Sequence, residues 1–315
     1  MLSKWVSYVM SQGIEEAGAS CCCACCGIAE IDDVKLTECN SCDLVRYCSD
    51  ECQRDHKSEH EEDCKKRAAE LRDELLFKQP DSSHHGDCPI CCLPMPLDET
   101  KSIMMRCCSK IICIGCHYAN TRRETKMRLE HTCPFCREAL PKTKKDRVKL
   151  NMKRADAKDP VAMYKEGLWQ LGKGDYRSAV DYFTKAAELG YAWAHYELSI
   201  MYDELGSFVE KDGGKSLLYL EEAAIGGHPE ARYNLGLHEW NKKGNVEKAV
   251  KHWIIAAKQG DDNSIKELMD AFKRGECSKD ELATALRAHQ AAVDATKSPQ
   301  RDAAETYYNR TYYYK

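Results

Sequence analysis

No excess of positive charge runs through this chain. Its 47 Lys and Arg are outnumbered by 51 Asp and Glu, so the net charge is −4. A global basic field that would draw nucleic acid is absent, and nucleic acid is not the expected partner. Nor is there a run of about 18 apolar residues, so neither a transmembrane helix nor a membrane partner is expected. Residues 1–20 form a short lead with Lys4 and a small apolar patch at Trp5–Met10, broken by Ser7, Ser11 and Gln12. That is too short and too polar for a secretory leader, and the chain is not expected to be secreted. G-x-S-x-G, P-loop and H-E-x-x-H patterns are all missing, so no catalytic residue is assigned. Cysteine is nearly absent from the second half, where only Cys277 stands.

The other 19 of the 20 cysteines crowd into residues 21–136. Most stand in C-x2-C or C-x3-C pairs. Without a secretory leader, thiolates on metal in a reducing compartment, cytoplasm or nucleus, are a better reading than disulfides.

Between Cys39 and Cys64 the chain holds a C-x2-C (Cys39, Cys42), a C-x3-C (Cys48, Cys52) and an H-x3-C (His60, Cys64), with Cys23 and Cys26 upstream. Eight donors suffice for two closed tetrahedral sites. Steps of two residues let one turn grip an ion. Steps of three, as in C-x3-C and H-x3-C, place both donors on one helix face. Cys48/Cys52 and His60/Cys64 are therefore expected on two helices, with Ser49 as a cap. Cys22/Cys25 is a competing first pair, but Gly27 after Cys26 eases a knuckle turn. His56 is a second choice for His60. With few Leu, Ile or Phe, about 45 residues cannot build a sufficient core, whereas structural zinc contributes ~10–16 kcal/mol.

This pattern, with Tyr47-Cys48-Ser49-Asp50-Glu51-Cys52-Gln53, resembles the MYND zinc finger. The resemblance implies interleaved ligands: Cys23, Cys26, Cys48 and Cys52 on one zinc, and Cys39, Cys42, His60 and Cys64 on the other. Lys57 stands where that family usually carries Trp.

Residues 67–87 read as a helix and linker. Leu71, Leu75 and Leu76 share a helix face, and a Pro- and Gly-punctuated loop follows, in which His84 and His85 are expected to be solvated. From residue 88 four more donor pairs appear: Cys88/Cys91, Cys107/Cys108, Cys113/Cys116 and Cys133/Cys136, again enough for two closed sites. The block resembles a RING domain, with a helix expected from about Tyr118 to Leu129. By that resemblance Cys88, Cys91, Cys113 and Cys116 share one zinc, and Cys107, Cys108, Cys133 and Cys136 the other. Lys110 falls where a RING has His, so adjacent Cys107 and Cys108 are taken first, with His117 or His131 in reserve. Cys92 has no place in the pattern. The resemblance also implies a ubiquitin-conjugating enzyme as partner, contacted through Ile90 and Pro134, with Arg137 where active members often carry a basic residue that touches ubiquitin. Asn120 stands where the RING helix often has Trp.

Seven of the fourteen residues from Pro141 to Arg154 are basic, which reads as a solvated linker or the start of a helix. Beyond it lies an internal repeat. Ala186-Ala187, Ala223-Ala224 and Ala256-Ala257 recur, as do Ala162, Ala194 and Ala231 with Ser264 following. Asp159-Pro160 and His228-Pro229 mark helix starts, and Gly190 and Gly260 mark helix ends. Tyr164, Trp169, Tyr182, Phe183, Tyr196, Leu198, Leu218, Tyr219, Tyr233, Leu235 and Trp253 are expected in the core. The repeats resemble Sel-1-like units, relatives of the tetratricopeptide type, which implies a solenoid binding proteins or peptides.

The expected architecture is small zinc-stabilised α+β modules in the N-terminal half and an all-α helical-repeat solenoid in the C-terminal half. The divisions are a lead (1–20), a MYND-type finger (21–66), a helix and linker (67–87), a RING-like finger (88–140), a basic linker (141–155), repeats (156–298) and a disordered tail (299–315). Four structural zinc ions are predicted. The expected function is a zinc-binding interaction protein, either a RING-type ubiquitin ligase that recruits substrates through its repeats or a scaffold without transfer activity.

Overall fold

The computed structural model describes residues 22–31, 33–204 and 211–312 and divides into two compact units, residues 1–78 and 79–315.

In the first unit, β1 (Thr37–Glu38) pairs antiparallel with β2 (Arg46–Tyr47), and the Cys39–Cys42 knuckle forms the turn between them. Helix α1 (Asp50–Asp55) starts where Ser49 Oγ accepts the Cys52 N–H at 3.2 Å. Helix α2 (Lys57–Phe77) runs without a break from the finger into the stretch read as a helix and linker. The core is Cys23, Leu36, Cys39, Cys42 and Tyr47. Three of these five are donors, so metal ligation takes the place that packing holds in a larger domain.

The second unit begins with a hairpin, β3 (Ser102–Met105) against β4 (Lys110–Cys113), whose turn carries Cys107 and Cys108. Helix α3 (Ile114–Lys126) starts earlier than the sequence predicts, because Cys113 Sγ accepts the Cys116 N–H at 3.4 Å and caps it. The basic stretch takes its helical alternative. Thr143 caps α4 (Lys144–Asp156), which buries Ala155 and also Asn151, whose side chain donates to Ala162 O at 3.2 Å.

Helix pairs follow: α5 (Pro160–Gly172) with α6 (Tyr176–Glu188), α7 (Ala192–Glu204) with α8 (Gly213–Ile225), and α9 (Pro229–Lys243) with α10 (Val246–Lys258). Helices α11 (Asp262–Lys273) and α12 (Lys279–Ala295) complete a fourth pair. Asp159 and His228 cap α5 and α9, each of which begins with Pro, and Gly190 and Gly260 hold left-handed backbone. The recurring Ala162, Ala194, Ala231 and Ser264 are all fully buried.

Five residues after the first three of these stand Gly167, Ser199 and Gly236. A Cβ on Gly167 would lie 2.5 Å from Phe183, and one on Gly236 2.3 Å from Trp253. Each glycine thus gives its ring room against the helix backbone. Two of the expected core residues are instead exposed, Leu218 and Trp169. Trp169 lies between the Lys144 and Lys173 ammoniums, 4.8 and 4.9 Å from its ring centre, a favourable place for an indole at the surface.

Two expectations are corrected. The tail expected to be disordered from residue 299 forms α13 (Pro299–Tyr312), which packs on α3 and buries Ala304. His84 and His85 are not solvated. Their rings lie 4.9 and 5.6 Å from Trp193, and His84 stacks on His228 at 4.4 Å. The linker is held there by hydrogen bonds from His84 N to Gly227 O (3.0 Å) and from Gln259 Nε2 to Ser82 O (3.4 Å).

Candidate metal centres

Three of the cysteine knuckles share one construction. Isolated antiparallel bridges, Cys22 with Ala29, Asp87 with Pro94 and Thr132 with Ala139, enclose Cys23–Cys26, Cys88–Cys91 and Cys133–Cys136. In each, the first cysteine N–H donates across the loop, to Ile28, Leu93 or Glu138 O. Its carbonyl accepts from the residue four places on: Gly27, Cys92 or Arg137. That residue is left-handed in all three, at φ +74°, +54° and +68°. The first knuckle brings Cys23 and Cys26 into one donor group, and Cys22 stands just outside it, its backbone bridged to Ala29. Cys92, which had no place in the spacing pattern, closes the second knuckle through its backbone.

The donors converge in four groups: Cys23, Cys26, Cys48 and Cys52; Cys39, Cys42, His60 and Cys64; Cys88, Cys91, Cys113 and Cys116; and Cys107, Cys108, Cys133 and Cys136. Within each, all ligand atoms lie within 4.8 Å of one another. Sγ···Sγ separations are 3.5 Å (Cys26–Cys48), 3.7 Å (Cys39–Cys64), 3.8 Å (Cys91–Cys113) and 3.9 Å (Cys108–Cys133). Thiolates about 2.3 Å from a tetrahedral zinc stand about 3.8 Å apart, whereas a disulfide needs about 2.05 Å. No disulfide joins any two cysteines among the described residues.

Charge argues the same way. The Cys23 thiol is pulled down to about 6: burial opposes this, but N–H groups of Cys26, Cys48 and Cys25 outweigh it. Its neighbour Cys48 is pushed up to about 12 by contact with Cys26 and then Cys52. In the third group contact with Cys113 pulls Cys88 down to about 4, and the same contact pushes Cys113 up. Four crowded thiols cannot all ionise unless a cation supplies the balancing charge. The donors, their spacing and their electrostatics fit four structural zinc ions, each with four protein ligands.

The competing histidines are engaged elsewhere. His56 Nδ1 meets Tyr47 OH at 3.1 Å, while His60, buried, places Nε2 3.1 Å from Cys42 Sγ. His131 Nδ1 lies 3.2 Å from Glu124 Oε2, and His117 Nδ1 is 3.2 Å from Tyr308 OH. Lys110 sits over the Phe135 ring at 5.7 Å. Glu124, a buried residue that spacing rules do not single out, accepts from Thr132 Oγ1 at 2.7 Å and so holds α3 to the last knuckle. Burial works against its charge, but bonds from Thr132 and His131 prevail and keep its carboxyl below the usual range.

Of the residues predicted to meet a partner, Ile90 and Arg137 are exposed and Pro134 is half-buried. No helix among the described residues is long and apolar enough to cross a membrane.

Parts of the chain are similar to known proteins. A curated mouse protein, DAP3-binding cell death enhancer 1, is 25% identical over a 182-residue comparison that covers 45% of this chain. The chain spans 36% of that relative's length. Among solved structures, a Sel1 repeat protein from Oxalobacter formigenes is 28% identical, with a TM-score of 0.40, over 50% of this chain and 65% of its own. The protective antigen c5321 of uropathogenic Escherichia coli, described as having an SLR fold, is 21% identical, with a TM-score of 0.41, over 48% and 34%. Residues 23–64 match the MYND finger family, and residues 161–191, 194–228 and 229–261 match the Sel1 repeat; neither match covers residues 88–140.

Proposed function

We propose that this protein is an adaptor, with protein partners held on its repeats and its MYND-type finger and with metals that serve the fold. The observation that carries the reading is the closure of the four sites. Each offers four protein donors to one ion, the arrangement of structural zinc, in which no coordination position is left for a substrate. What such modules offer other molecules is their outer surface. The mouse relative is named for binding DAP3, and a DAP3-type protein is the first partner to try. The purified full chain titrated with DAP3 should give a saturable complex. That complex should weaken at least tenfold when Met269 and Phe272, exposed one turn apart on α11, are both changed to Asp while four zinc ions are retained. Heat-stable, zinc-loaded protein that binds no DAP3 would remove that partner.

A second reading is favoured by the second module. Its four donor pairs cross over as in a RING, and Ile90, on its first knuckle, is 40% exposed. We propose it as the docking point for a ubiquitin-conjugating enzyme, with catalysis by positioning alone. Autoubiquitination with some member of an enzyme panel, lost in Ile90→Ala, is the expected result; silence across the panel would leave the scaffold reading. We also propose a reducing compartment, cytoplasm or nucleus, since fifteen cysteine donors must stay unoxidised.

A further inference from the structure

Helix α13 brings the end of the chain back to the second zinc module. Its Arg301 is buried. The guanidinium donates through Nη1 to Pro94 O and Thr296 O, both at 2.7 Å, and through Nη2 to Leu93 O at 3.2 Å. Nη2 also lies 3.4 Å from Cys91 Sγ, a ligand of the third group. One residue earlier, Gln300 Nε2 donates to Gly115 O at 3.0 Å. Gly115 itself, between ligands Cys113 and Cys116, has no room for a side chain: a Cβ would lie 2.9 Å from Arg301 Cγ and 3.0 Å from its backbone. Further along, Glu305 pairs with Lys101 at 3.2 Å, and Tyr308 OH meets His117 Nδ1 at 3.2 Å. The helix thus touches the Cys88–Cys91 knuckle and the first turn of α3, the segments that deliver Cys91 and Cys116.

We propose that Arg301 is a positioning residue in the outer shell of the Cys88–Cys91–Cys113–Cys116 site, and that α13 is a latch whose docking and this one metal ion hold each other in place. A zinc ion with four thiolates carries a net charge of about −2, and burying that charge is costly. A buried guanidinium opposite one thiolate offsets it and, through an N–H···S bond, fixes that thiolate's orientation. The benefit runs both ways. Without the ion the four sulfurs are no longer held to one centre, and the contact from Arg301 Nη2 to Cys91 Sγ loses its anchor. By linkage, whatever the docked helix adds to metal retention the metal adds to docking. The carbonyls of Leu93 and Pro94 make the contact specific, since they belong to the same knuckle as Cys91.

The test uses the full chain loaded with cadmium-113 as a spectroscopic stand-in for zinc. The loaded protein should give four resonances. In Arg301→Ala one of those from the all-sulfur sites should move while the other three stay in place. Outer-shell changes of this kind cost roughly 10–100-fold in metal retention. A chelator should therefore strip one ion that much faster from the variant, and Arg301→Lys, which keeps the charge but not the fork, should fall between. Hydrogen exchange gives the reciprocal measurement: α13 amides in the wild-type chain should lose protection as the first ion leaves the second module. Four unmoved resonances with unchanged release rates would overturn the proposal, as would a uniform loosening of all four ions or α13 amides that stay protected after metal removal.

Discussion

Gly27 and Arg137 occupy the same place in two different zinc knuckles. Each follows the first cysteine of its knuckle by four residues, donates its N–H to that cysteine's carbonyl and holds a left-handed backbone, at φ +74° and +68°. Glycine adopts that conformation at little cost. A side chain there costs about 1–2 kcal/mol. Arg137 and Cys92 are therefore held in place by the knuckle around them.

Exchanging these residues should move stability in opposite directions. Gly27→Ala meets no neighbour within 4 Å, so its cost is that of the backbone alone, about 1 kcal/mol. Cys92→Gly should stabilise the second module by a similar amount. Thermal unfolding of the zinc-loaded chain measures both. A loss of stability in Cys92→Gly would mean that the thiol has a role beyond its backbone.

Metal counting separates the donors from the bystanders. The full chain should carry four zinc ions in native mass spectrometry. Cys107→Ser and Cys108→Ser should each lower the count to three, because each removes one of four donors from the same closed site. His117→Ala, His131→Ala and Cys92→Ser should leave four. A full count in Cys108→Ser, paired with loss in a histidine variant, would reassign the last site.

The linker should be sensitive to acid. Burial, with a smaller contribution from His85, pushes His228 down to about 3, and burial with nearby Lys165 pushes His85 to about 4. An unfolded histidine titrates near 6.5. Their folded values are lowered, so stability is complete above about pH 6.5 and declines as pH falls from there toward 3–4, where only the unfolded chain takes up the protons. His228 Nδ1 accepts the Ala231 N–H at 3.2 Å, and asparagine can make the same cap. His228→Asn should flatten the decline between pH 6.5 and 4.5 by up to about 1.4 kcal/mol per pH unit. Urea melts across that range measure the slope, and an unchanged slope would exonerate this histidine.

Inside the repeats, Phe183→Ala should cost about 3–5 kcal/mol through the cavity left under α5. Gly236→Ala should cost about 1–3 kcal/mol because its methyl group would meet Trp253. Far-ultraviolet melts of the two variants check the order of the effects. A neutral Gly236→Ala would show that α9 and α10 can part without loss.

Much of this molecule was legible in its sequence because its determinants are local. Cysteine and histidine spacing, the Ser49 cap, Asp159-Pro160 and the alanine pairs each act within one turn, where residue order and geometry are nearly the same thing. That is why the sixteen donors, the two helices of the MYND-type finger and the helix pairs of the repeats can be placed from residue order alone. Chemistry that depends on distant partners could not be placed that way. His84 and His85 look like solvated linker residues until Trp193 and His228 are brought against them. The tyrosine-rich tail looks disordered until α3 is there to receive it. Arg301 carries no signal at all in sequence, since Cys91 lies 210 positions away. The sequence determined which atoms could bind metal and which segments could become helices. Only the tertiary structure decided what those sites and helices would touch, because burial and long-range contact set the charge, the partner and the conformation of each remaining group.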